Sequence, residues 1–304
     1  MINYLKRNIS NFPLLMKLLL PIYINTKNIY FWIYKTFNSY FSFTLHDKTK
    51  IKFFPKGQIA KGLFFNEFEK KELEIFQLLL TNGSILIDAG ANIGLYSIVG
   101  SRLIGPTGKV FSFEPSKSTF NLLLNNIKLN KVKNIIPTNI GLGDNIGETI
   151  SLSHNIEGGD AENYILKSQN ETIILDNGLN KNQLTESITL DTLDNFQLKN
   201  NIKKVDFLKI DVEGYEYYLL KGAENLLKNN PEIIILFECA DHLAKRAGAK
   251  QTDVFDFLNN LGIDIAYWDE NEKKWSNNQE EAMIAGQLVG GRNIIQILDN
   301  LYSN

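Results

Sequence analysis

Ile85-Leu86-Ile87-Asp88-Ala89-Gly90-Ala91-Asn92-Ile93-Gly94-Leu95-Tyr96 changes character twice along its length. An apolar run ends in an aspartate, a glycine-spaced turn follows, and Leu95, Ile98, Val99 and Leu103 then recur at helical spacing. The pattern predicts a buried strand, a tight loop and a helix, the first half of a βαβ unit. Gly90 and Gly94 permit a sharp bend and a close approach of backbone to a ligand. The first turn of the helix adds free amide donors beside the loop. Past the loop by about twenty residues, Lys109-Val110-Phe111-Ser112-Phe113 reads as the next strand and runs into Glu114. In doubly wound folds a carboxylate there holds a nucleoside ribose.

Charge narrows the choice of nucleotide. Dinucleotide loops read G-x-G-x-x-G, whereas this one reads Asp88-x-Gly90-x-x-x-Gly94, with a carboxylate at its mouth. Two like charges ~4 Å apart interact by ~4 kcal/mol at an effective dielectric near ~20, so an ionised Asp88 repels a pyrophosphate. S-adenosylmethionine has no phosphate but carries an ammonium and a sulfonium, which such a carboxylate favours. The rival is an NAD(P)-dependent oxidoreductase, which Glu114 would also serve. The missing second glycine of G-x-G and Asp88 itself count against it.

The chain of 304 residues is long enough for one large domain plus an appendage. A formal charge of −2 argues against general nucleic-acid binding, which needs a basic face. The single cysteine, Cys239, excludes an intramolecular disulfide and points to a reducing, cytoplasmic compartment. Residues 1–46 differ from the rest: Lys6, Arg7, Lys17, Lys27 and Lys35 face no acidic residue before Asp47, and apolar and aromatic residues lie between them. No apolar run there reaches the ~18–20 residues that cross a bilayer, and Lys17 and Pro21 break up any signal-peptide core. Two readings follow. The segment lies in a membrane interface, making the protein peripheral to the inner membrane face, or it packs on the catalytic domain or a second subunit, the favoured reading because aromatic stripes are usually core. A catalytically silent membrane-associated binding module would rest on the same segment.

Outward from the loop, residues 1–60 read as a basic, aromatic-rich extension and 61–304 as the main domain. Phe41 to Phe54 alternates like β-structure, and Glu67 to Leu80 reads as a helix with Phe68, Ile75, Phe76 and Leu79 on one face. Ser116 is the expected N-cap of a helix to about Leu129, with Phe120, Leu123, Leu124 and Ile127 inward. Ile135–Ile140 is a third strand, and Asp144 follows it at the ligand edge. Residues 145–190 break the alternation, with short strands at Thr149–Leu152, Thr172–Leu175 and Ser187–Leu190, and read as an acceptor-side insertion carrying His154. Val205–Gly214 delivers Asp211 and Glu213 to the edge, one helix spans Tyr215 to Leu226, and Ile233–Phe237 ends in Glu238. Asp253–Leu261 is a helix, and strands Ile263–Trp268 and Arg292–Leu298 form an antiparallel hairpin that puts the last strand inside the sheet. Carboxylates thus end four successive parallel strands: Asp88, Glu114, Asp211 and Glu238.

Ile87-Asp88-Ala89-Gly90-Ala91-Asn92-Ile93-Gly94, Phe113-Glu114-Pro115, Leu142-Gly143-Asp144, Leu190-Asp191-Thr192-Leu193-Asp194 and Lys209-Ile210-Asp211-Val212-Glu213-Gly214-Tyr215-Glu216, in that order, resemble the FkbM-type S-adenosylmethionine-dependent methyltransferases. The resemblance implies an α/β fold: a Rossmann-like, seven-stranded mixed sheet of class I methyltransferase type, order 3-2-1-4-5-7-6, with helices on both faces. It implies methyl transfer to a hydroxyl, on a small-molecule or glycan acceptor. It also implies that Asp88, Gly90, Asn92 and Gly94 line the methionine end of the donor, Glu114 the ribose and Asp144 the adenine.

For the chemistry, a base must take the proton of the acceptor hydroxyl. Asp211, Glu238 and His242 are the candidate catalytic residues, His242 having the best unperturbed pKa near neutrality. Asp211 with Glu238 could alternatively hold Mg²⁺. No H-E-x-x-H, paired C-x-x-C or Walker loop gives zinc or P-loop chemistry a foothold.

Overall fold

The computed structural model describes residues 40–45, 47–54, 69–155, 164–166 and 183–302, with positions 26, 28, 29, 31, 32, 60 and 62. Most of residues 1–46 and the strand expected at Thr172–Leu175 lie outside the described residues. A hairpin of β1 (Phe41–Thr44) and β2 (Lys50–Phe53) comes first, then α1 (Lys70–Leu79), β3 (Ile85–Ala89), α2 (Leu95–Leu103), β4 (Lys109–Phe113), α3 (Lys117–Asn130) and β5 (Ile135–Thr138). The insertion holds β6 (Gly141–Leu142), β7 (Thr149–Asn155), β8 (Tyr164–Leu166) and β9 (Gln183–Asp191). The chain continues through α4 (Leu193–Lys199), β10 (Phe207–Ile210), α5 (Glu216–Lys221), α6 (Glu224–Asn229), β11 (Ile234–Phe237), α7 (Asp241–Arg246) and α8 (Gln251–Asn260). It closes with β12 (Asp264–Asp269), β13 (Lys274–Ser276), α9 (Gln279–Ala282), β14 (Leu288–Gly291) and α10 (Ile294–Tyr302).

The main sheet runs β13-β12-β14-β11-β10-β3-β4-β5. Strands β3, β4, β5, β10 and β11 are parallel, and β14 is antiparallel to both β11 and β12. Alternation along each central strand feeds two cores. Leu86, Val110 and Phe207 join Phe76, Ile98 and Leu122 on the face of α1–α3, while Ile87, Phe111 and Leu208 join Phe196, Leu219, Leu226 and Leu258 of α4, α5, α6 and α8.

Four expectations are corrected. The sheet has eight strands, not seven, because Lys274-Trp275-Ser276 pairs with the end of β12 and buries Trp275 edge-on against Trp268. The last strand is Leu288–Gly291, inside the sheet as expected, but Arg292–Leu298 is not part of it. Ile294 and Leu298, one helical turn apart and fully buried, put α10 there instead. The inward face of α3 is Thr119, Leu122, Leu123 and Asn126, whereas Leu124 is exposed. Asn126 sets that rotation: its amide donates to the Lys52 and Ile93 carbonyls and accepts from the Lys52 N–H, docking β2 on the helix. The helix expected over Tyr215–Leu226 divides into α5 and α6 at Gly222, where a Cβ would lie 1.9 Å from the Gly143 carbonyl oxygen.

Phe41, Ile51 and Phe53 of the hairpin are buried in the same core as α1–α3, and Phe31 packs edge-on against Phe41 at 5.5 Å. The insertion forms its own sheet, β6-β9-β7-β8, with β7 and β9 paired antiparallel from Thr149↔Thr189 to Asn155↔Gln183. Ile150, Leu152, Ile188 and Leu190 seat it on Tyr215 and Tyr218. His154 lies in β7, opposite Leu184. Among the described residues no helix is long and apolar enough to cross a membrane.

Candidate active site

The register of the parallel strands builds the site. Ala89 pairs with Phe113 and with Ile210, and Ile210 with Phe237. Gly90, Glu114, Asp211 and Glu238 are therefore the first residues past four adjacent strand ends, at one pole of the sheet. A topological pole of this kind is where open α/β sheets bind ligands.

One residue back, a polar row crosses the sheet. Asp88 is in register with Ser112 on one side and Lys209 on the other. All three side chains are buried and lie on the α2 face, where Ser97 Oγ donates to Asp88 Oδ2 at 2.5 Å and lies 2.6 Å from Ser112 Oγ. Asp88 is thus not at the mouth of the loop. Burial pushes its carboxyl up, against the pull of Lys209 and the Ser97 hydroxyl. The repulsion expected of it toward a phosphate belongs instead to the carboxylates one step further out. Its Oδ1 has no hydrogen-bond partner.

Lys209 is the residue that sequence reasoning passed over. Its ammonium donates to Asp211 Oδ2 at 2.9 Å and stands 4.6 Å from the centre of the Tyr96 ring. Burial acts to strip its proton, but Asp211, Asp88 and Glu69 together hold the proton more firmly than in water. The available signal was a lysine inside the apolar run Val205–Ile210, since a charge in a buried strand has to be paired. Glu69, at the N-cap of α1 with φ 42°, was also missed; its carboxyl bonds to the Tyr96 hydroxyl and is pushed up to about 7 by burial, opposed by Lys209 and reinforced by Asp211.

The loop closes onto Glu114. Both its oxygens are held by backbone: Oε1 accepts from Ser116 N–H and Oε2 from Asn92 N–H, each at 2.9 Å. Asn92 adopts φ 48° to make that contact. The two glycines make room for protein. A Cβ on Gly90 (φ 79°) would lie 1.8 Å from the Asp211 carbonyl oxygen, and one on Gly94 (φ 92°) 2.4 Å from Leu123 Cδ1.

Beyond the strand ends lies a crowd of acids. Burial, with Asp211 next, pushes Glu238 up to about 7 and Glu213 to about 8. Glu238 itself is exposed, so solvent screening moderates its shift most. Glu216 is buried and reaches about 7 through burial, restrained by the Gly214 N–H that its Oε1 accepts; its Oε2 has no partner. Arg246 Nη2 donates to the Glu213 carbonyl at 3.2 Å and comes within 4.0 Å of its carboxylate.

Two further expected residues make no hydrogen bond to this cluster among the described residues. Asp144 accepts from Lys221 Nζ at 2.8 Å on the α5 side. His242, on α7, is exposed and makes no side-chain hydrogen bond or ion pair among the described residues. A metal held by Asp211 and Glu238 finds no support: among the described residues no group of three or more His, Cys, Asp or Glu could hold an ion.

The family model for the methyltransferase FkbM domain matches residues 88–265, from the loop aspartate through β12. The chain belongs to the FkbM methyltransferase family. It is 28% identical over 169 residues to the hexuronic acid methyltransferase AglP of Haloferax volcanii, covering 54% of this chain and 61% of that one. Identity to methyltransferase sdnD of Sordaria araneosa is 28% over 166 residues, 48% of this chain and 62% of that one. The FkbM chain thus spans about six-tenths of the length of the curated relatives it matches. Among solved structures, an O-methyltransferase from Bacillus cereus in complex with SAH aligns with a TM-score of 0.42 at 13% identity, over 73% of this chain and 80% of that one.

Proposed function

We propose that this protein transfers a methyl group from S-adenosylmethionine to a hydroxyl of a sugar or related secondary metabolite. The family membership supports methyl transfer, and the name of the AglP relative supports a sugar acceptor. In this reading β5-β4-β3-β10-β11-β14-β12 take the places of the class I order 3-2-1-4-5-7-6, with β13 added outside. The observation that carries it is the strand-end register, which sets Gly90, Glu114, Asp211 and Glu238 side by side.

The residues fit such a donor. Glu114, fixed by two backbone N–H groups beside the loop, stands where a carboxylate accepts from ribose hydroxyls, and the unpartnered Asp88 Oδ1 and the acids beyond it suit a ligand that is positive at its methionine end. Asp88, Gly90, Asn92 and Gly94 shape that end. Asp144, already paired with Lys221, would reach an adenine amine only by sharing its carboxylate.

When bound, the donor supplies a methyl carbon made electrophilic by its sulfonium. The protein orients the acceptor oxygen and takes its proton; orientation alone can supply ~7–11 kcal/mol of the barrier. Lys209 fixes the Asp211 carboxylate, which makes Asp211 an orienting anion. We assign the base to Glu238, which combines access to solvent with a carboxyl near neutrality, the optimum for a general base. Glu238 would take the proton of the acceptor hydroxyl as that oxygen gains the methyl group, the bound donor giving up the carbon and keeping the electron pair of the broken sulfur–methyl bond as its thioether. His242 lies four residues further along, in the first turn of α7, and is exposed.

Calorimetric titration with SAH and with NAD, followed by mass spectrometry of a glycan pool incubated with labelled donor, tests the reading. Expected are SAH binding, no response to NAD, and a product heavier by one methylene. Tight NAD binding without SAH binding would replace methyl transfer by hydride transfer.

A further inference from the structure

Charge is divided unevenly along the chain. Residues 1–66 hold ten lysines and arginines against one acid, Asp47, and so carry +9 in a chain whose formal net charge is −2. That acid is committed: it accepts from the Thr49 N–H at 2.8 Å and hydroxyl at 2.6 Å, and pairs with Arg102 at 3.8 Å. The fold brings a second acid-free stretch beside it. Lys117, Lys128, Lys131 and Lys133 lie between Glu114 and Asp144 with no acid among them. The last turn of α3 is joined to β2, where Asn130 accepts from the Lys50 N–H at 2.8 Å and donates to its carbonyl at 2.6 Å, while Arg102 ties Asn130 to the Asp47 carbonyl. Lys48, Lys50, Lys128 and Lys131 therefore gather about Asn130, all exposed and none in an ion pair among the described residues. A helix C-terminus favours lysine, which accounts for Lys128 and Lys131 but not for the two on the hairpin.

The same hairpin carries apolar side chains. The described positions 26, 28, 29, 31 and 32 are helical, and Phe31 packs on Phe41 of β1. Ile29 and Trp32, three residues apart and so on one helix face, are instead 57% and 66% exposed. Tyr40, also exposed, has Lys52 Nζ 4.1 Å from the centre of its ring. We infer that the hairpin, the end of α3 and the helix about Trp32 dock on an anionic bilayer, the lysines meeting its phosphates and Ile29 and Trp32 entering the interface. Basic side chains are drawn to an anionic membrane surface, tryptophan settles at headgroup level, and the two attractions add. A nucleic acid would use the lysines, but it would leave Ile29 in water and meet the −11 carried by residues 67–304. A bilayer touches one face only. This docking surface is independent of the reaction in the crevice. It lies ~20 Å along the 14-residue α3 from Ser116, whose N–H holds Glu114.

The test uses the full 304-residue chain with vesicles of phosphatidylcholine alone or mixed with phosphatidylglycerol. Expected is co-sedimentation with the mixed vesicles only, weakening as salt is raised from ~0.1 M to ~1 M. Tryptophan emission should shift to the blue on binding, and Trp32→Phe should remove the shift while Trp268 and Trp275 remain. Replacing the four lysines together, as Lys48→Asn, Lys50→Gln, Lys128→Gln and Lys131→Asn, should lower the partition coefficient at least ~10-fold. Asparagine suits the left-handed backbone of Lys48 (φ 68°) and Lys131 (φ 57°). A melting curve checks that the variant folds, and the comparison of vesicles and the Trp32 signal decide the question without it. Neutral vesicles bound as well as anionic ones would overturn the inference, as would no binding to either. So would a partition coefficient unchanged in the folded lysine variant, emission that stays put on vesicles that bind the chain, or tighter binding to duplex DNA than to the mixed vesicles at equal phosphate. A dimer in sedimentation velocity that the lysine variant loses, with no vesicle binding, would give the face to a second copy and overturn the bilayer.

Discussion

Lys209 sits between two carboxyls, in register with Asp88 and bonded to Asp211, in a strand otherwise built of apolar residues. Breaking a buried pair by removing one partner costs ~3–5 kcal/mol, since the other charge stays buried without a partner. Lys209→Met is therefore expected to lower the unfolding free energy by about that amount in urea denaturation. A loss below ~1 kcal/mol would mean that Asp88 and Asp211 do not depend on the lysine. Glu238 makes the second prediction at this scale. Its carboxyl, near 7 in the folded protein, must be deprotonated to accept a proton, so kcat/KM is expected to rise with pH through that region. Glu238→Gln should remove this limb and cut kcat by ~10²–10⁴-fold. A limb that persists in Glu238→Gln and vanishes in His242→Ala would move the base to the histidine. At this scale the sequence was legible where side chains follow strand ends, as at Glu114, Asp211 and Glu238. It was not legible where partners meet through register or through the fold, as with Lys209 beside Asp88 and Glu69 against Tyr96.

Among the elements, the loop after β3 is held by approach distances that a sequence does not display. Gly90 looks like a residue that clears space for a ligand, yet its missing Cβ clears the Asp211 carbonyl at the end of the neighbouring strand. Gly147 has nearly the same backbone, φ 75°, with nothing within 4 Å of its would-be Cβ. The pair separates two costs. Gly147→Ala should destabilise by about 1–2 kcal/mol, the left-handed backbone penalty alone. Gly90→Ala should cost more than that and should also weaken SAH binding, because the end of β10 must move. Thermal melts and calorimetry of both variants check this; equal losses would remove the close approach as the reason for the glycine. Strand β3 and helix α2 were legible because periodicity changes sharply at the loop. Strand β13 and helix α10 were not: three residues carry no period, and Ile294-Ile295 followed by Ile297-Leu298 reads equally as strand or helix until Leu288–Gly291 takes the place in the sheet.

For the molecule as a whole, the acids at the pole couple folding to pH. Glu69, Glu216 and Glu238 are raised to about 7 and Glu213 to about 8, all from 4.5. Between those values the folded chain holds protons that the unfolded chain has released. Their contribution to stability is therefore fully present below 4.5 and is lost as pH rises through about 7 to 8. Glu238, being exposed, contributes least. The ligand-free protein is expected to melt about 5 °C lower near pH ~8.5 than near pH ~5. Glu216→Gln, which removes the most buried of the four, should flatten the curve. Saturation with S-adenosylmethionine should flatten it too, because a bound positive charge favours the ionised carboxyls and expels their protons. Calorimetry in buffers of different ionisation enthalpy would register that release as a buffer-dependent binding heat. A melting temperature that rises over this range would show that these carboxyls titrate in the folded protein no higher than in the unfolded chain, and the coupling of folding to this acidic pole would fall with it.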